Sequence, residues 1–436
     1  MLAADSGDVE SGVDDTKLAT MPQTWSLHIQ NTSIVQGVTN FPSPYVGDNS
    51  LTPHQTRETI TVTVFFAVQP WKGAMLVINP EFAQGQGLNL AHGVAGFPNG
   101  EATKAGSMTG KLDLERVYLS QVIGLGGEQE EVPAGRNQLA GKRDISRLTF
   151  TLGKCAANDF FDDNTFAHDP RTQFINWSIW ESAAWDFPAD AKGYTIGAAV
   201  ELNQKTWALR YGAYLLPRVA NGLALESNPA RALAQVVEFE RRYSLGRERV
   251  GKFRLLAFAN HANMGSYRDA VNQFHANPAA GPADITLSRA SRWKYGGAVT
   301  LEQEITADLG AFLRLSLNDG ATESWAFTEV DRSAAFGVSL KGTRWSRSSD
   351  TVGLGFALNG LSGAHRDYLA AGGLGILLGD GRLRYRPEKI LECYYDVKLP
   401  LKYTNLMFGY QLVGAPGYNA QRGPANIFSA RFHFEY

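Results

Sequence analysis

Residues 292–304 read RWKYGGAVTLEQE. In a strand, successive side chains point to opposite faces. Trp293, Tyr295, Gly297, Val299 and Leu301 then share one side, and Arg292, Lys294, Ala298, Thr300, Glu302 and Glu304 the other. One face is aromatic and aliphatic, the other charged. In a soluble sheet the charged face meets water and the apolar face joins a core. In a transmembrane barrel the charged face lines a wet lumen and the apolar face meets lipid. One strand alone is compatible with both.

The pattern recurs along the chain. TITVTVFFAV (59–68) sets Ile60, Val62, Val64, Phe66 and Val68 against three threonines, and TWALRYGAYLL (206–216) sets Leu209 and Tyr211 against Arg210. KFRLLAFAN (252–260) sets Leu255 against Arg254, and DLGAFLRLSLN (308–318) sets Leu313 and Leu315 against Arg314 and Ser316. FSARFHFEY (428–436) alternates Phe432 and Phe434 with Arg431 and His433. Such runs exceed the roughly 5 to 6 residues of an ordinary soluble strand and approach the roughly 9 to 11 that cross a bilayer at a tilt. Several end in rings suited to a membrane interface, as at Trp71, Trp207, Tyr211, Trp293 and Tyr403. Gly353, Gly355 and Ala357 on a polar face leave room in a lumen or accept an inward-folded loop. Together these features favour an all-β transmembrane barrel, with Val62, Val64, Leu209, Leu313 and Phe432 toward lipid and Ser316 toward the lumen.

Composition narrows the alternatives. No run approaches 18 consecutive apolar residues, which excludes a helical membrane protein but is silent on barrels. A net charge of -2 without a basic block argues against a nucleic-acid partner. The 2 cysteines, Cys155 and Cys393, lack metal-ligand spacing and are expected to be free thiols. Cys393 shares the lipid phase of Leu391 and Tyr395, while Cys155 falls near a rim. MLAADSGDVESGVDD lacks the basic and apolar regions of a signal peptide. Residues 1–24 are expected to form a mobile acidic segment and 25–436 one barrel domain.

The connections differ in length. QPWKG (69–73) reads as a tight turn, whereas 81–110, 158–190, 262–290 and 360–387 are long and polar. Short periplasmic turns alternating with long external loops that fold into the lumen are the habit of bacterial barrels. Loop helices are expected within 266–276 and 227–236.

Several blocks resemble the carbohydrate-selective outer-membrane porins of the OprB type. They are GKCAANDFFDDNTFAHDPRTQFINWSIW (153–180), AAWDFPADAKGYTIG (183–197), WSRSSDTVGLGFALNGLSGAHRDYLAAGG (345–373), GDGRLRYRPEKILECYYDVKL (379–399) and GYNAQRGPANIFSARFHFEY (417–436). PWKGAMLVINPEFAQGQGL (70–88) and NHANMGSYRDA (260–270) extend the likeness over most of the chain beyond residue 55. The resemblance implies a sixteen-stranded barrel in the outer membrane of a Gram-negative bacterium, passing sugars passively into the periplasm. Blurred boundaries before residue 55 leave eighteen strands as the alternative. The terminal aromatic strand is similar to the signal read by the barrel-assembly machinery. The implied surroundings are outer-membrane lipid and lipopolysaccharide, and trimeric association is left open. The acidic stretch before Trp25 departs from the Gly- and Leu-rich helical plug of better-known members.

No enzyme motif competes. There is no H-E-x-x-H, no Gly-x-Ser-x-Gly elbow and no phosphate-binding glycine loop. Asp159, Asp162, Asp163, Asp169 and His168 cluster in one segment; a loop-bound Ca²⁺ is the metal alternative, although the spacing does not match an EF-hand. No other cofactor is expected. A sugar path wants guanidinium donors, carboxylate acceptors and aromatic rings side by side. The candidates are Arg210, Arg254, Lys294, Glu302 and Arg314 from strands, and Asp162, Asp163, Arg171, Trp177, Arg366 and Arg422 from loops. The carboxylates balancing the arginines favour small neutral sugars. A porin for organic anions and a polysaccharide-binding surface barrel are the alternatives.

Overall fold

A computed structural model describes residues 21–246 and 249–436. Apart from residues 21–24, the expected acidic segment therefore lies outside the described residues. The strands are β1 (Trp25–Val38), β2 (Gln55–Val68), β3 (Ala74–Gly85), β4 (Ser107–Gly124), β5 (Gln129–Val132), β6 (Gly141–Asp144), β7 (Arg147–Cys155), β8 (Thr195–Asn203) and β9 (Trp207–Leu215). They continue as β10 (Leu233–Leu245), β11 (Arg249–Met264), β12 (Ala290–Glu304), β13 (Leu309–Asn318), β14 (Arg332–Gly342), β15 (Arg347–Gly360), β16 (Glu388–Lys398), β17 (Thr404–Gly414) and β18 (Ala425–Glu435). Sixteen of them form one closed antiparallel barrel, each next to its sequence neighbour, and β5 with β6 makes a separate two-stranded sheet. Closure pairs β1 with β18, with Ser33 opposite Phe432. No described helix is long and apolar enough to cross a membrane.

Alternation decides which way each residue faces. Thr59, Thr61, Thr63, Phe65 and Ala67 are buried inward, while Val62 and Val64 between them are half-exposed on the outer wall. Leu209 and Phe432 are exposed outward, and Leu313 lies outward between the buried Phe312 and Arg314. Cys393 also faces out; Cys155 ends β7 as a buried inward residue, and both are free thiols.

The lumen is filled by its own loops. Trp177, Trp185 and Trp325 are fully buried inside the barrel, and residues 156–194 supply much of this core. Small wall residues make the space. A Cβ at Gly355 would stand 2.9 Å from side-chain atoms of both Ile179 and Phe174, so glycine admits the loop there.

Three expectations are corrected. The expected 81–110 loop is shorter, because β3 continues to Gly85 and β4 starts at Ser107, and the expected 158–190 loop is longer, because β7 ends at Cys155 and β8 starts at Thr195. A helix does form over Tyr267–Ala276, but 227–236 holds turns and the start of β10. There the alanine-rich run is overridden by the sheet, which buries Ala234, Val236 and Glu238 inward and turns Val237 and Phe239 outward. Finally, the rim of short turns carries one folded exception, the β5–β6 hairpin between β4 and β7.

Candidate functional site

The inward loop is held by wall side chains that reach its backbone. Glu392 on β16 accepts from the amides of Ile175 at 2.8 Å and Asn176 at 3.0 Å. Glu302 on β12 accepts from the amide and hydroxyl of Thr165, both at 2.8 Å. Glu238 on β10 accepts from the Asp162 amide at 2.8 Å. On β18, two strands from Glu392, Arg431 donates to the carbonyls of Pro170 at 2.8 Å and Gln173 at 2.6 Å. A buried loop carries backbone groups that need partners, and an inward charged row supplies them.

The strand candidates belong to this clamp. Arg210 pairs with Glu201 at 2.6 Å and Glu238 at 2.7 Å. Arg254 joins Glu240 at 2.8 Å to Glu302 and Asp163, both at 3.2 Å. Arg314 donates to the carbonyls of Ala167 at 2.6 Å and Asp162 at 3.0 Å. Lys294 donates to the Thr322 carbonyl at 3.3 Å, with the Asp186 carboxylate at 3.9 Å. Arg254, Lys294, Glu302 and Arg314 are buried beneath loops, as is Ser316, whose hydroxyl accepts from the Ala184 amide at 3.0 Å.

The four carboxylates considered for Ca²⁺ go separate ways. Asp159 takes Arg116 in a bidentate pair, Asp162 faces Arg314 and Ser182, Asp163 takes Arg254, and Asp169 takes Arg136. Among the described residues no group of three metal-ligating side chains converges.

A cavity of about 610 Å³ stays open along the barrel interior, and a second of about 310 Å³, also bordered by Arg171, lies beside Asp396, Lys398, Tyr403 and His433. Asp163, Arg171 and Trp177 of the expected residues line the larger one. Arg171 spans its wall, donating to Glu101 at 2.8 Å, Glu81 at 2.7 Å, and Gln30 and Thr63, both at 2.8 Å. The neighbouring carboxylates outweigh burial and hold this guanidinium firmly protonated. Arg366 and Arg422 lie elsewhere, in the outer loops. Arg366 sits over the Tyr385 ring at 4.7 Å, and Arg422 is buried against Asp380, Ser43 and Tyr45.

Further lining residues were not among those expected. Lys104 stands 3.4 Å from Glu101 and 5.4 Å from the Tyr194 ring, which Arg116 approaches at 5.2 Å. Lys192 is paired to Asp113. Trp180, Phe187 and Phe327 complete an aromatic side with Trp177, whose ring centroid is 4.8 Å from that of Trp180 and 4.6 Å from that of Phe327. The indole nitrogens of Trp177 and Trp180 have no protein partner. AAWDFPADAKGYTIG already carried Phe187, Lys192 and Tyr194, but alternation could not single them out because this segment has no strand period before Thr195. Chemically, the cavity offers aromatic rings and charge pairs of both signs in one lining.

Comparison with known proteins places this architecture. A family model described as carbohydrate-selective porin, OprB family, matches residues 57–436. The high-pH structure of Pseudomonas putida OprB superposes with a TM-score of 0.69 at 16% identity, over 98% of this chain and 96% of that one. The outer-membrane channel DcaP of Acinetobacter baumannii gives a TM-score of 0.51 at 11% identity, over 94% of this chain and 97% of that one. At these identities the likeness is one of fold. No curated protein matches the chain.

Proposed function

The chain belongs to the carbohydrate-selective porins of the OprB family, channels of the outer membrane, and from that premise we propose that it passes mono- and small oligosaccharides passively into the periplasm. The observation that carries this reading is the lining of the cavity. Arg171 and Lys104 with Glu101, Arg116 with Asp159, and Arg136 with Asp169 set cations and carboxylates in pairs in the same lining as Trp177 and Trp180. A neutral polyol finds both donors and acceptors along such a wall, and its apolar faces find rings. An ion meets both signs along it, the cations Lys104, Arg116, Arg136, Arg143, Arg171 and Lys192 beside the carboxylates Glu101, Asp159, Asp163 and Asp169. Arg171, Asp163 and Trp177 are the solute-contacting residues of this proposal, joined by Lys104 and Trp180. The charged donors Arg171 and Lys104 are already engaged with carboxylates, so there a sugar exchanges partners instead of gaining them, while the indole nitrogens of Trp177 and Trp180 remain unpartnered. That favours the weak binding a channel requires.

Swelling of liposomes carrying the barrel, compared for glucose, a disaccharide and an organic anion of similar size, tests the proposal. Glucose entry faster than through a nonspecific pore of equal conductance is expected. A clear preference for the anion would replace the sugar reading with the organic-acid one, and no entry at all would favour a surface-binding barrel.

A further inference from the structure

Residues 125–146, between β4 and β7, stand on the rim of short turns, the periplasmic rim of an outer-membrane porin. Turns such as 69–73, 204–206 and 399–403 only reverse the chain there. Residues 125–146 instead build the β5–β6 hairpin, which leans over the mouth from β4 and β7 toward β18.

Its base is fixed to the wall beneath it. Glu130 accepts from Arg143 at 2.8 Å and from Arg147 of β7 at 2.9 Å. Asp144 accepts from the Gly126 amide and from Gln129, both at 2.9 Å. Its tip reaches round the rim past β3, β2 and β1 to β18, four strand positions from β4. Arg136 stands 3.2 Å from Glu435 of β18 and 5.9 Å from the Phe65 ring of β2. Ala140 exchanges hydrogen bonds with Gln23, both at 3.0 Å. The same Arg136 donates to Asp169 of the inward loop at 3.0 Å. The hairpin from one rim and the loop from the other therefore touch at a charge pair inside the lumen.

Arg136, Asn137 and Gln138 line the cavity that also holds Arg171 and Trp177. Asn137 adopts φ 53°, a conformation asparagine tolerates better than most residues, and its side-chain carbonyl is buried without a partner. An unpaired acceptor at the wall of a solute path is the group a passing hydroxyl would satisfy.

We propose that the β5–β6 hairpin is an exit filter, a second constriction met after the loop, in which Arg136, Asn137 and Gln138 contact the leaving solute and the span of the hairpin limits its size. That the solute is a sugar rests on the function proposed above; the size limit does not.

The test removes residues 129–144 from the full chain, joining Glu128 to Ile145, whose amide already donates to the Glu128 carbonyl at 2.9 Å. Salt conductance in planar bilayers with graded neutral polymers, and liposome swelling with glucose and a trisaccharide, are compared with the intact protein. The expected result is a several-fold rise in conductance, a larger polymer cut-off and faster trisaccharide entry relative to glucose. Unchanged conductance and cut-off in a correctly folded deletion would overturn the proposal. An intact barrel that rejects sugars would defeat the sugar reading alone, because conductance and polymer exclusion use no sugar. As a variant that keeps the hairpin, Asn137→Cys is treated with a charged methanethiosulfonate. Loss of most of the current is expected, with the intact protein as control because Cys155 is buried and Cys393 faces lipid. An unblocked Asn137→Cys pore would overturn the proposal equally.

Discussion

Arg314 on the barrel wall stands 3.4 Å from the carboxylate of Asp162 in the inward loop, and both side chains are almost completely shielded from solvent. Removing one member of such a pair leaves the other charge buried and uncompensated, at a cost of about 3–5 kcal/mol. In Arg314→Ala the carbonyls of Ala167 and Ile179 lose their donor as well. The barrel should still assemble, since its strand ladder is untouched, but the loop should loosen. Single-channel recordings are expected to show higher and noisier conductance with heat-modifiable gel migration retained.

Arg171 answers to charge selectivity. Its guanidinium is shared by Glu81 and Glu101 at the cavity wall. Arg171→Ala removes the cation, leaving Glu81 without its ion-pair partner and Glu101 of the lining with Lys104 alone. The reversal potential in a potassium chloride gradient should move toward the potassium value, and glucose entry should slow relative to chloride-independent leak.

Leu313 tests the assignment of inside and outside. Leu313→Arg places a charge on the lipid face and should destabilise the barrel by roughly 2 to 4 kcal/mol near the bilayer midplane. Leu313→Val should be nearly silent in the same urea-unfolding measurement. Ser316, which alternation turns toward the lumen, should not tolerate arginine either. It lies under the loop and holds Ala184, so Ser316→Arg is expected to expel that segment and raise conductance.

Stability of the loop should depend on pH through Glu181 and Asp162. Burial and the charge of Asp162 push the Glu181 carboxyl well above the ordinary carboxylate range. Asp162 is also penalised by burial, but Arg314 and Ser182 outweigh it and draw its pKa down. A carboxyl raised in the folded state contributes stability that is complete below about 4.3, its unfolded value, and is lost as pH rises through the folded value. Asp162 gives the opposite dependence, with stability lost only in acid. As pH rises above the ordinary carboxylate range the thermal transition of the folded band should therefore fall, and Glu181→Gln should flatten that fall.

How much of this was legible in the sequence depended on whether a residue obeyed the strand period. Val62, Leu209, Leu313, Phe432 and Cys393 could be oriented from alternation alone because the sheet repeats every second residue. The same logic brought Arg210, Arg254 and Arg314 inward, yet it could not say whether they would face water or a loop. Their burial depends on where residues 156–194 lie, and that path is set by contacts such as Glu392 to Asn176, between residues far apart in the chain. The hairpin escaped notice for a related reason. EEVPAGRNQLAGKRD is polar on both faces and reads as an ordinary turn, and only its tertiary contact through Arg136 distinguishes it. The mistaken helix at 227–236 shows the converse, a local propensity that closure of the sheet overrules.

The pairing of β1 with β18 has a consequence for the order of assembly. Arg431, which grips the carbonyls of Pro170 and Gln173, sits on the last strand, whereas Glu238 and Glu302 hold the same loop from the middle of the chain. The loop is too bulky, with its tryptophans and phenylalanines, to be threaded into a finished cylinder. It must gather against the curved, still open sheet and wait there. The final strand then completes the wall and the loop's last anchors in one movement, so the gap between β1 and β18 is the seam through which the interior is packed.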